Sequence, residues 1–420
     1  MNKELADPHI ITFGCRLNAY ESEIIRKLAK ESNLSNTIII NTCAVTSEAE
    51  RQARQAIRKA RRKEPNANII VTGCAAQISP ETFSSMPEVD KVLGNEEKLI
   101  DSYYRLDDKA RINVGDIMSA QKAETHIIDC FEERTRAFIQ VQTGCDHRCT
   151  FCIIPYGRGK SRSVPLGKIF EQVRTLVSNG VKEIVLSGVD ITSYGPDLPG
   201  KPSLGQMVRR LLAASPSLPR LRLSSLDPAE IDDDLMLLIE NEPRLMPHLH
   251  LSLQAGDDLV LKRMKRRHDS EQAINLISKL RHLRSDLVLG ADFIAGFPTE
   301  SEEMFKNTLN FIDECDLTYL HVFPFSARPE TPAAHMPQVP HKVIKDRAEQ
   351  LRERASKALD KHLNKEIGKN RSVLIEKNDF GRTEYFTPIK VPGAKAGQLL
   401  DVSITGRDRN SHLGVPLGGI

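Results

Sequence analysis

The segment GCDHRCTFC contains three cysteines, Cys145, Cys149 and Cys152, in a C-x3-C-x2-C spacing. Thiolates are soft ligands that suit iron–sulfur clusters and zinc. A structural zinc site needs four ligands, but no fourth cysteine lies close by, and His147 lies inside the loop, where it is poorly placed to reach the same metal. Three thiolates on a four-iron cluster leave one iron open, so the spacing predicts a catalytic metal centre.

A second set of three cysteines follows three segments rich in isoleucine and valine. Cys15, Cys43 and Cys74 come after HIITFG, within TIIINTC and after NIIVTG, which we predict as buried parallel strands separated by helices at 20–31 and 46–63. Right-handed crossovers point these strands the same way, so the thiols should gather at one sheet edge. Buried cysteines can also act as small apolar residues, but three equivalent positions favour ligands.

The rest of the chain predicts two further domains. Six apolar segments between 134 and 325 alternate with helical segments, which indicates a partial (β/α)6 barrel with its site at the C-terminal strand ends. The last segments alternate apolar and polar residues, as in a small antiparallel β-barrel. We therefore predict an α/β fold with this division: a Rossmann-like N-terminal βαβ domain at 1–106, a linker at 107–133, the barrel at 134–340, a connecting helix at 341–365 and the terminal barrel at 366–420.

The composition excludes several classes of protein. The chain has 420 residues, enough for two or three domains, and a net charge of only +3. The N-terminus is too charged for a secretory signal, and no apolar run of 18 residues occurs. These features predict a cytoplasmic protein with no membrane association, in which the eight cysteines are reduced.

The central cysteine motif at the mouth of such a barrel resembles the radical S-adenosylmethionine superfamily. Within it, the additional N-terminal cysteines and the terminal barrel are similar to the methylthiotransferases, over essentially the whole chain. The resemblance implies one 4Fe-4S cluster on each set of cysteines, S-adenosylmethionine as cofactor, and a C-terminal TRAM domain that binds RNA. One cofactor molecule would donate a methyl group, and another would be cleaved to a radical.

The resemblance also implies residues that contact these groups. Asn18 and Asn41, beside two ligands, could tune the N-terminal cluster through hydrogen bonds, although capping or turn formation explains them equally well. The residues expected to bind S-adenosylmethionine lie at strand ends or beside the central cysteines: Phe151, Ser187, Gly188, Asp190, Ser224 and Gln254. Beyond the cluster ligands, the sequence predicts no catalytic residue.

Basic runs indicate an RNA substrate. The segment 51–63 holds seven basic residues and no acidic one, and further basic runs occur at 157–162 and 262–268. The terminal barrel adds basic residues, with Phe380, Tyr385 and Phe386 available for stacking on bases. The predicted RNA contacts are Arg51, Arg54, Arg58, Arg158, Arg162, Arg266, Arg382 and Arg407.

The motif FGCRLNAYESE resembles the bacterial branch that acts on N6-threonylcarbamoyladenosine next to the tRNA anticodon. Two alternatives within the family are isopentenyladenosine in tRNA and an aspartate of a ribosomal protein. An alternative of another class is a zinc-stabilised RNA-binding protein without catalysis. The family implies tRNA, a reducing electron donor protein and a sulfur source as partners, and we expect a monomer.

Overall fold

The computed structural model describes residues 7–105, 110–123, 126–128 and 135–418. The expected fold class is confirmed, with a Rossmann-like sheet domain, a six-stranded partial barrel and a small closed barrel following one another. Part of the expected linker at 107–133, including Cys130, lies outside these ranges. No helix within them is long and apolar enough to cross a membrane.

The N-terminal domain is a parallel sheet with strands in sequential order, β1 to β5. The second strand is buried along its whole length, as its isoleucine run predicts. The fifth strand falls in the expected linker, so the sheet extends beyond residue 106; two residues are too few to show an apolar pattern. The elements are β1 (His9–Thr12), α1 (Arg16–Glu31), β2 (Thr37–Thr42), α2 (Ser47–Lys63), β3 (Asn68–Gly73), α3 (Cys74–Ile78), α4 (Pro80–Ser84), β4 (Lys91–Leu93) and β5 (Ile112–Asn113).

The central barrel has six parallel strands in two ladders, β10-β9-β6 and β11-β12-β13, with a short antiparallel pair, β7 and β8, beside the cysteine loop. Isolated bridges join the two ladders at β10 and β11. Over the described ranges β6 and β13 each pair on one side only, so the barrel is open there. The strands are β6 (Arg136–Gln140), β7 (Gln142–Thr143), β8 (Arg162–Ser163), β9 (Glu183–Ser187), β10 (Arg220–Leu223), β11 (His248–Gln254), β12 (Val288–Ala295) and β13 (Tyr319–Pro324).

Helices cover the outside of the central barrel and bury an apolar face against its strands. Side chains such as Leu211, Leu235 and Leu280 are fully buried in this layer. The helices are α5 (Ile154–Arg158), α6 (Leu166–Ser178), α7 (Leu204–Ala214), α8 (Asp233–Asn241), α9 (Asp258–Met264), α10 (Ser270–Leu283) and α11 (Glu302–Glu314).

A long helix leads into the C-terminal barrel, which is closed by five strands in the order β14-β15-β16-β18-β17. All pairs are antiparallel except β16 with β18. Its small core includes Val373, Ile389 and Val402. The elements are α12 (His341–Glu366), β14 (Asn370–Lys377), β15 (Phe380–Thr383), β16 (Pro388–Lys390), β17 (Leu399–Asp408) and β18 (Ser411–Pro416).

Phe386 of the C-terminal barrel closes the end of the central barrel where the strands begin. Its ring stacks on His248 with centroids 5.3 Å apart. The guanidinium groups of Arg136, Arg222 and Arg382 lie 4.9, 5.2 and 4.3 Å from its centroid. The expectation that this ring stacks on RNA is therefore wrong, because the ring already packs against other side chains of the protein.

Tyr385 is likewise unavailable to RNA. Its side chain is buried, and its hydroxyl donates a hydrogen bond to Asp286 Oδ2 at 3.1 Å. Of the three aromatic residues expected to stack on bases, Phe380 remains partly exposed on β15. The turn between β15 and β16 thus docks the C-terminal barrel onto the central one.

Candidate active site

Cys145, Cys149 and Cys152, the central trio, lie on one loop between β7 and α5. The Cys145 N–H donates to Gly159 O and the Cys152 N–H donates to Cys149 O, both at 3.1 Å. Gly144 has a φ of +72°, and a β-carbon there would lie 1.8 Å from Lys160 O, so the tight turn requires glycine. These backbone constraints fix the loop at the C-terminal ends of the barrel strands, as the barrel prediction requires.

Two buried serines line the strand ends beside this loop. Ser187 ends β9 and Ser224 follows β10, and the Ser224 N–H donates to Leu186 O at 2.9 Å. Neither serine hydroxyl has a hydrogen-bond partner in the described part of the chain. Buried polar groups normally have partners, so these hydroxyls fit the polar atoms of a bound cofactor such as S-adenosylmethionine.

The turn after β9 is held by Gln142, which the sequence analysis missed. Gln142 Oε1 accepts hydrogen bonds from the backbone N–H groups of Val189 at 3.0 Å and Asp190 at 2.9 Å. A β-carbon at Gly188 would lie 2.6 Å from Ile191 Cγ2, so this close approach requires glycine. A glutamine within a short strand carries no sequence pattern that identifies it.

The Asp190 carboxylate already has partners within its own turn and the cysteine loop. It accepts hydrogen bonds from Thr192 and Ser193, each at 2.7 Å, and lies 3.0 Å from His147 Nε2. Burial raises the pKa of Asp190, but these hydrogen bonds outweigh burial and lower it to about 2. Asp190 is therefore ionised and orients His147 beside the central trio.

Phe151 and Gln254, both expected at the cofactor, also lie at this end of the barrel. The Phe151 ring packs edge-on against Phe297, with centroids 6.4 Å apart. Gln254 ends β11 with a φ of +74°, a strained conformation for a residue other than glycine. Strained backbone of this kind often marks a binding site.

Cys15, Cys43 and Cys74, the N-terminal trio, follow β1, β2 and β3 and gather at one edge of the sheet. Cys15 precedes α1 and is exposed, whereas Cys43 and Cys74 are buried, and all three are free thiols. A β-carbon at Gly14 would lie 2.9 Å from Cys43 Sγ, so β1 and β2 bring their cysteines close together. Burial raises the pKa of Cys43 to about 12, so its thiolate requires a bound cation.

Both trios suit clusters better than single zinc ions. Over the described ranges, neither trio brings all three sulfur atoms within 4.8 Å of one another. Ligand atoms of Cys145, His147 and Asp190 do lie within that distance, so His147 is closer to a metal at Cys145 than the sequence predicts. A tetrahedral zinc with bonds of about 2.3 Å would hold its sulfur ligands closer than this. The wider spacing and the all-thiol donor set fit iron–sulfur clusters.

Asn18 and Asn41 hold the backbone around the N-terminal trio. Asn18 Nδ2 donates to Phe13 O at 2.8 Å and to Thr42 O at 2.9 Å, and its Oδ1 lies 3.8 Å from Cys15 Sγ. Asn41 Nδ2 donates to Asn18 O at 3.0 Å. Asn18 thus ties the loops after β1 and β2 together.

A buried ion-pair network lies beside the N-terminal trio. Arg158 at the end of α5 donates to Glu21 at 2.7 and 3.0 Å and to Asn18 Oδ1 at 2.8 Å. Lys98 Nζ lies 2.7 Å from Glu21 Oε2, and Asn95 Nδ2 lies 3.7 Å from Cys74 Sγ. Arg158 is buried, so its expected role as a surface RNA contact is wrong; it joins the central barrel to the N-terminal domain.

Arg162 and Arg266, also expected to contact RNA, are buried as well. Arg162 lies 3.1 Å from Glu96 Oε1. Arg266 donates to Asp227 Oδ2 at 2.8 Å and to Cys149 Sγ at 3.6 Å, which places a positive charge beside the central trio. The surface RNA role is wrong for both, because each guanidinium is engaged inside the protein.

The two arginines expected in the C-terminal barrel have partners within the protein. Arg382 donates to Phe386 O at 3.0 Å and packs over the Phe386 ring at the closed end of the central barrel. The guanidinium of Arg382 thus packs within the protein, while its side chain is partly exposed. Arg407 is partly exposed and donates to Asp360 Oδ1 at 2.6 Å.

The basic helix α2 begins at the rim of the site. Ser47, at the start of α2, donates from its backbone N–H to Ser326 Oγ at 3.3 Å, just beyond the end of β13, and Glu50 pairs with Arg328 nearby. The expected RNA-contacting arginines of this helix are exposed or partly exposed: Arg51, Arg54 and Arg58.

Fold and site together define a radical S-adenosylmethionine enzyme with a second cluster domain. The Radical SAM superfamily matches residues 139–312, and the family described as uncharacterized protein family UPF0004 matches residues 8–94. A radical S-adenosylmethionine methyltransferase from Kitasatospora setae, solved with cobalamin and a [4Fe-4S] cluster, has a TM-score of 0.53 at 13% identity, covering 79% of this chain and 77% of that one. That similarity concerns the fold alone.

Comparison with curated relatives identifies the family within this class of enzymes. The threonylcarbamoyladenosine tRNA methylthiotransferases of Rickettsia prowazekii and Aquifex aeolicus are 54% and 36% identical, covering 94% of this chain and 94% and 98% of theirs. A tRNA-2-methylthio-N(6)-dimethylallyladenosine synthase of Cereibacter sphaeroides is 34% identical over 97% of this chain and 98% of its own. The chain belongs to the threonylcarbamoyladenosine tRNA methylthiotransferase family.

Proposed function

We propose that this enzyme adds a methylthio group to C2 of N6-threonylcarbamoyladenosine next to the tRNA anticodon. The observation that carries the proposal is the pair of cysteine trios, one at the strand ends of the N-terminal sheet and one at the strand ends of the central barrel. The chain that holds them is 54% identical over 94% of its length to an enzyme named for that substrate. Two separate trios suit a reaction that must both activate a carbon and deliver sulfur.

The residues around the central trio would hold the cofactor and its cluster. When bound, S-adenosylmethionine and the cluster on the central trio supply a carbon radical. Cys145, Cys149 and Cys152 would hold that cluster, with Ser187 and Ser224 supplying hydroxyls to polar atoms of the cofactor. Gln142 and Asp190 keep the adjoining loops in place.

The N-terminal side would hold the sulfur to be transferred. Cys15, Cys43 and Cys74 would ligate the second cluster. Asn18 fixes the two loops that carry Cys15 and Cys43, and Arg158 holds the domain against the central barrel. These contacts would keep the sulfur carrier at a constant distance from the radical site.

The tRNA would dock at the rim through the basic face of α2. Arg51, Arg54 and Arg58 lie on the helix that contacts the segment after β13, so phosphates bound there would place a flipped or unstacked base above the barrel. We propose that the C-terminal barrel, a TRAM-type domain in this interpretation, extends the RNA surface through Arg407. As parts of the same proposal, the enzyme is a cytoplasmic monomer that takes electrons from a reducing protein and sulfur from a separate source.

The test is an anaerobic assay of the reconstituted enzyme with tRNA that carries threonylcarbamoyladenosine, analysed by nucleoside mass spectrometry. We expect methylthio product together with 5′-deoxyadenosine. Replacing the central trio with alanine should abolish both, whereas replacing the N-terminal trio should leave cofactor cleavage and remove the methylthio product. Methylthio product only on isopentenyladenosine or on a ribosomal-protein aspartate would contradict the proposed substrate, and zinc in place of about eight irons would contradict the chemistry.

A further inference from the structure

The interior of the central barrel is open below the cofactor site. Tyr319, His321 and Phe323 alternate along β13 and face the interior, since the first two contact the rings of His248 and His250. His321 is 61% exposed and Phe323 is 38% exposed, although β13 is a barrel strand. This inner surface is therefore not filled by packing and can receive part of a substrate.

A hydrogen-bonded group of three polar side chains lines this interior. Asp292 Oδ1 lies 2.9 Å from His250 Nε2 and 3.2 Å from His321 Nδ1, and the two imidazole rings are 4.7 Å apart. Both imidazole rings hold the Asp292 carboxylate in place, and the carboxylate in turn fixes the orientation of the two rings. In the described ranges His321 Nε2 has no hydrogen-bond partner. Because Nδ1 donates to the Asp292 carboxylate, Nε2 donates to a ligand when the imidazole carries both protons.

Arg16 contributes a positive charge nearby. It is the residue after Cys15, and its guanidinium lies 5.8 Å from the Phe386 ring that stacks on His248. His248 lies two residues before His250 on β11, and the ring of His250 contacts that of His321, so Arg16 and His321 both lie beside this stretch of β11. Arg16 forms no hydrogen bond or ion pair in the part of the chain that the structure describes.

The neighbouring arginines differ from Arg16 because they have carboxylate partners. Arg222 donates to Glu183 at 2.8 Å, and Arg136 lies 2.9 Å from Glu376. A partly buried guanidinium without a partner is costly unless a ligand supplies the negative charge. Arg16 is therefore the guanidinium of this group that is free to pair with a bound anion.

We propose that Arg16 and His321 bind the carboxylate of the threonylcarbamoyl group when the modified adenine enters the barrel. This inference rests on the proposed function and adds the residues that select the substrate. A dimethylallyl group has no polar atom and would leave Arg16 unpaired, so the same contacts reject it. Because this carboxylate is attached to the base, it would enter the barrel with the base, whereas the backbone phosphates would stay at the rim.

The test compares two ligands that differ only in the charged group. Free N6-threonylcarbamoyladenosine and its carboxamide analogue are titrated against the holoenzyme by calorimetry, and anticodon stem-loops carrying each nucleoside are tested as substrates. A charge-assisted hydrogen bond predicts that the wild type prefers the carboxylate by about 10- to 100-fold. Arg16→Gln should reduce this preference to within about threefold, and His321→Gln should reduce it partly.

The controls separate binding from damage to the fold or the cluster. Arg209→Gln is the matched variant, because Arg209 is 59% exposed on α7 and pairs with Asp234, and it should keep the wild-type preference. Iron content and electron paramagnetic resonance of both clusters should be unchanged in Arg16→Gln, which matters because Arg16 adjoins Cys15. Unchanged spectra together with loss of the preference separate carboxylate recognition from a structural role.

Two results would overturn the inference. One is equal affinity of the wild type for carboxylate and carboxamide, and the other is an unchanged preference in Arg16→Gln. Failure of the proposed function gives a different result: the wild type binds the carboxylate nucleoside selectively but forms no methylthio product from the stem-loop.

Discussion

Replacing Arg158 with methionine should destabilise the contact between the N-terminal domain and the central barrel. The side chain is buried and makes three hydrogen bonds across that contact, two to Glu21 and one to Asn18. Methionine keeps much of the volume but supplies no charge. Glu21 would retain Lys98 as a cationic partner.

The size of the effect follows from two arguments. Removing one partner of a buried ion pair costs about 3–5 kcal/mol, and the remaining lysine places this case near the lower end. Burial raises the pKa of Glu21, but Arg158 and Lys98 outweigh burial and lower it from 4.5 to about 2. Such a net shift corresponds to about 3 kcal/mol, which is what remains of the attraction of both cations after the cost of burying the carboxylate.

The lowered pKa of Glu21 also determines how the stability of the folded protein depends on pH. A carboxyl group with a lowered pKa in the folded state stabilises the protein fully above its unfolded value, near pH 4.5, and the stabilisation disappears as the pH falls toward 2. The wild type should therefore lose stability over this range. Glu21→Gln should lack that part of the pH dependence.

Far-UV circular dichroism during anaerobic urea unfolding measures these changes, because the chain has no tryptophan for fluorescence. We expect Glu21→Gln to cost more than Arg158→Met, since it leaves two buried cations without their carboxylate. Arg209→Met removes an exposed ion pair and should cost at most about 1 kcal/mol. Equal losses for Arg158→Met and Arg209→Met, or a smaller loss for Glu21→Gln than for Arg158→Met, would refute the reasoning.

Two further predictions concern the RNA surface and the barrel contact. Changing Arg51, Arg54 and Arg58 together to glutamine should weaken tRNA binding. Measured at several salt concentrations, the salt-dependence slope of binding should fall by about 0.7 to 0.9 for each phosphate that the variant no longer binds. An unchanged slope would exclude this face of α2 from tRNA docking. Phe386→Ala should cost about 3 kcal/mol and impair the central barrel, whereas Phe380→Ala, on the partly exposed side of β15, should change stability little. Calorimetric unfolding distinguishes them, and equal effects would contradict the docking role of Phe386.

The sequence predicted the parts of the site that depend on local order. Cys145, Cys149 and Cys152 lie within one short segment, so a single loop brings them together. The N-terminal trio is distributed over three successive βα units, yet the repeat places each cysteine at the same strand end. The topology rules for parallel sheets are enough to predict this gathering.

Partners far apart in the chain could not be predicted. Arg158 lies within a basic run that suggests a phosphate site, but its partner Glu21 is 137 residues away. Arg162 and Arg266 also belong to basic runs, and their carboxylate partners, Glu96 and Asp227, lie elsewhere in the chain. Charge in a sequence shows which residues are basic, whereas their exposure depends on carboxylates supplied by other domains.

The motif FGCRLNAYESE acquires a physical explanation from the first turns of α1. Cys15 precedes the helix, the Arg16 guanidinium lies 5.8 Å from the Phe386 ring, and Asn18 and Glu21 hold Arg158. The first turns of one helix thus carry a proposed cluster ligand, a proposed substrate contact and the contact between domains. A shift of α1 would move all three together, so in the proposed mechanism the Glu21–Arg158 pair would keep the sulfur carrier aligned with the substrate although it does not touch the reacting base.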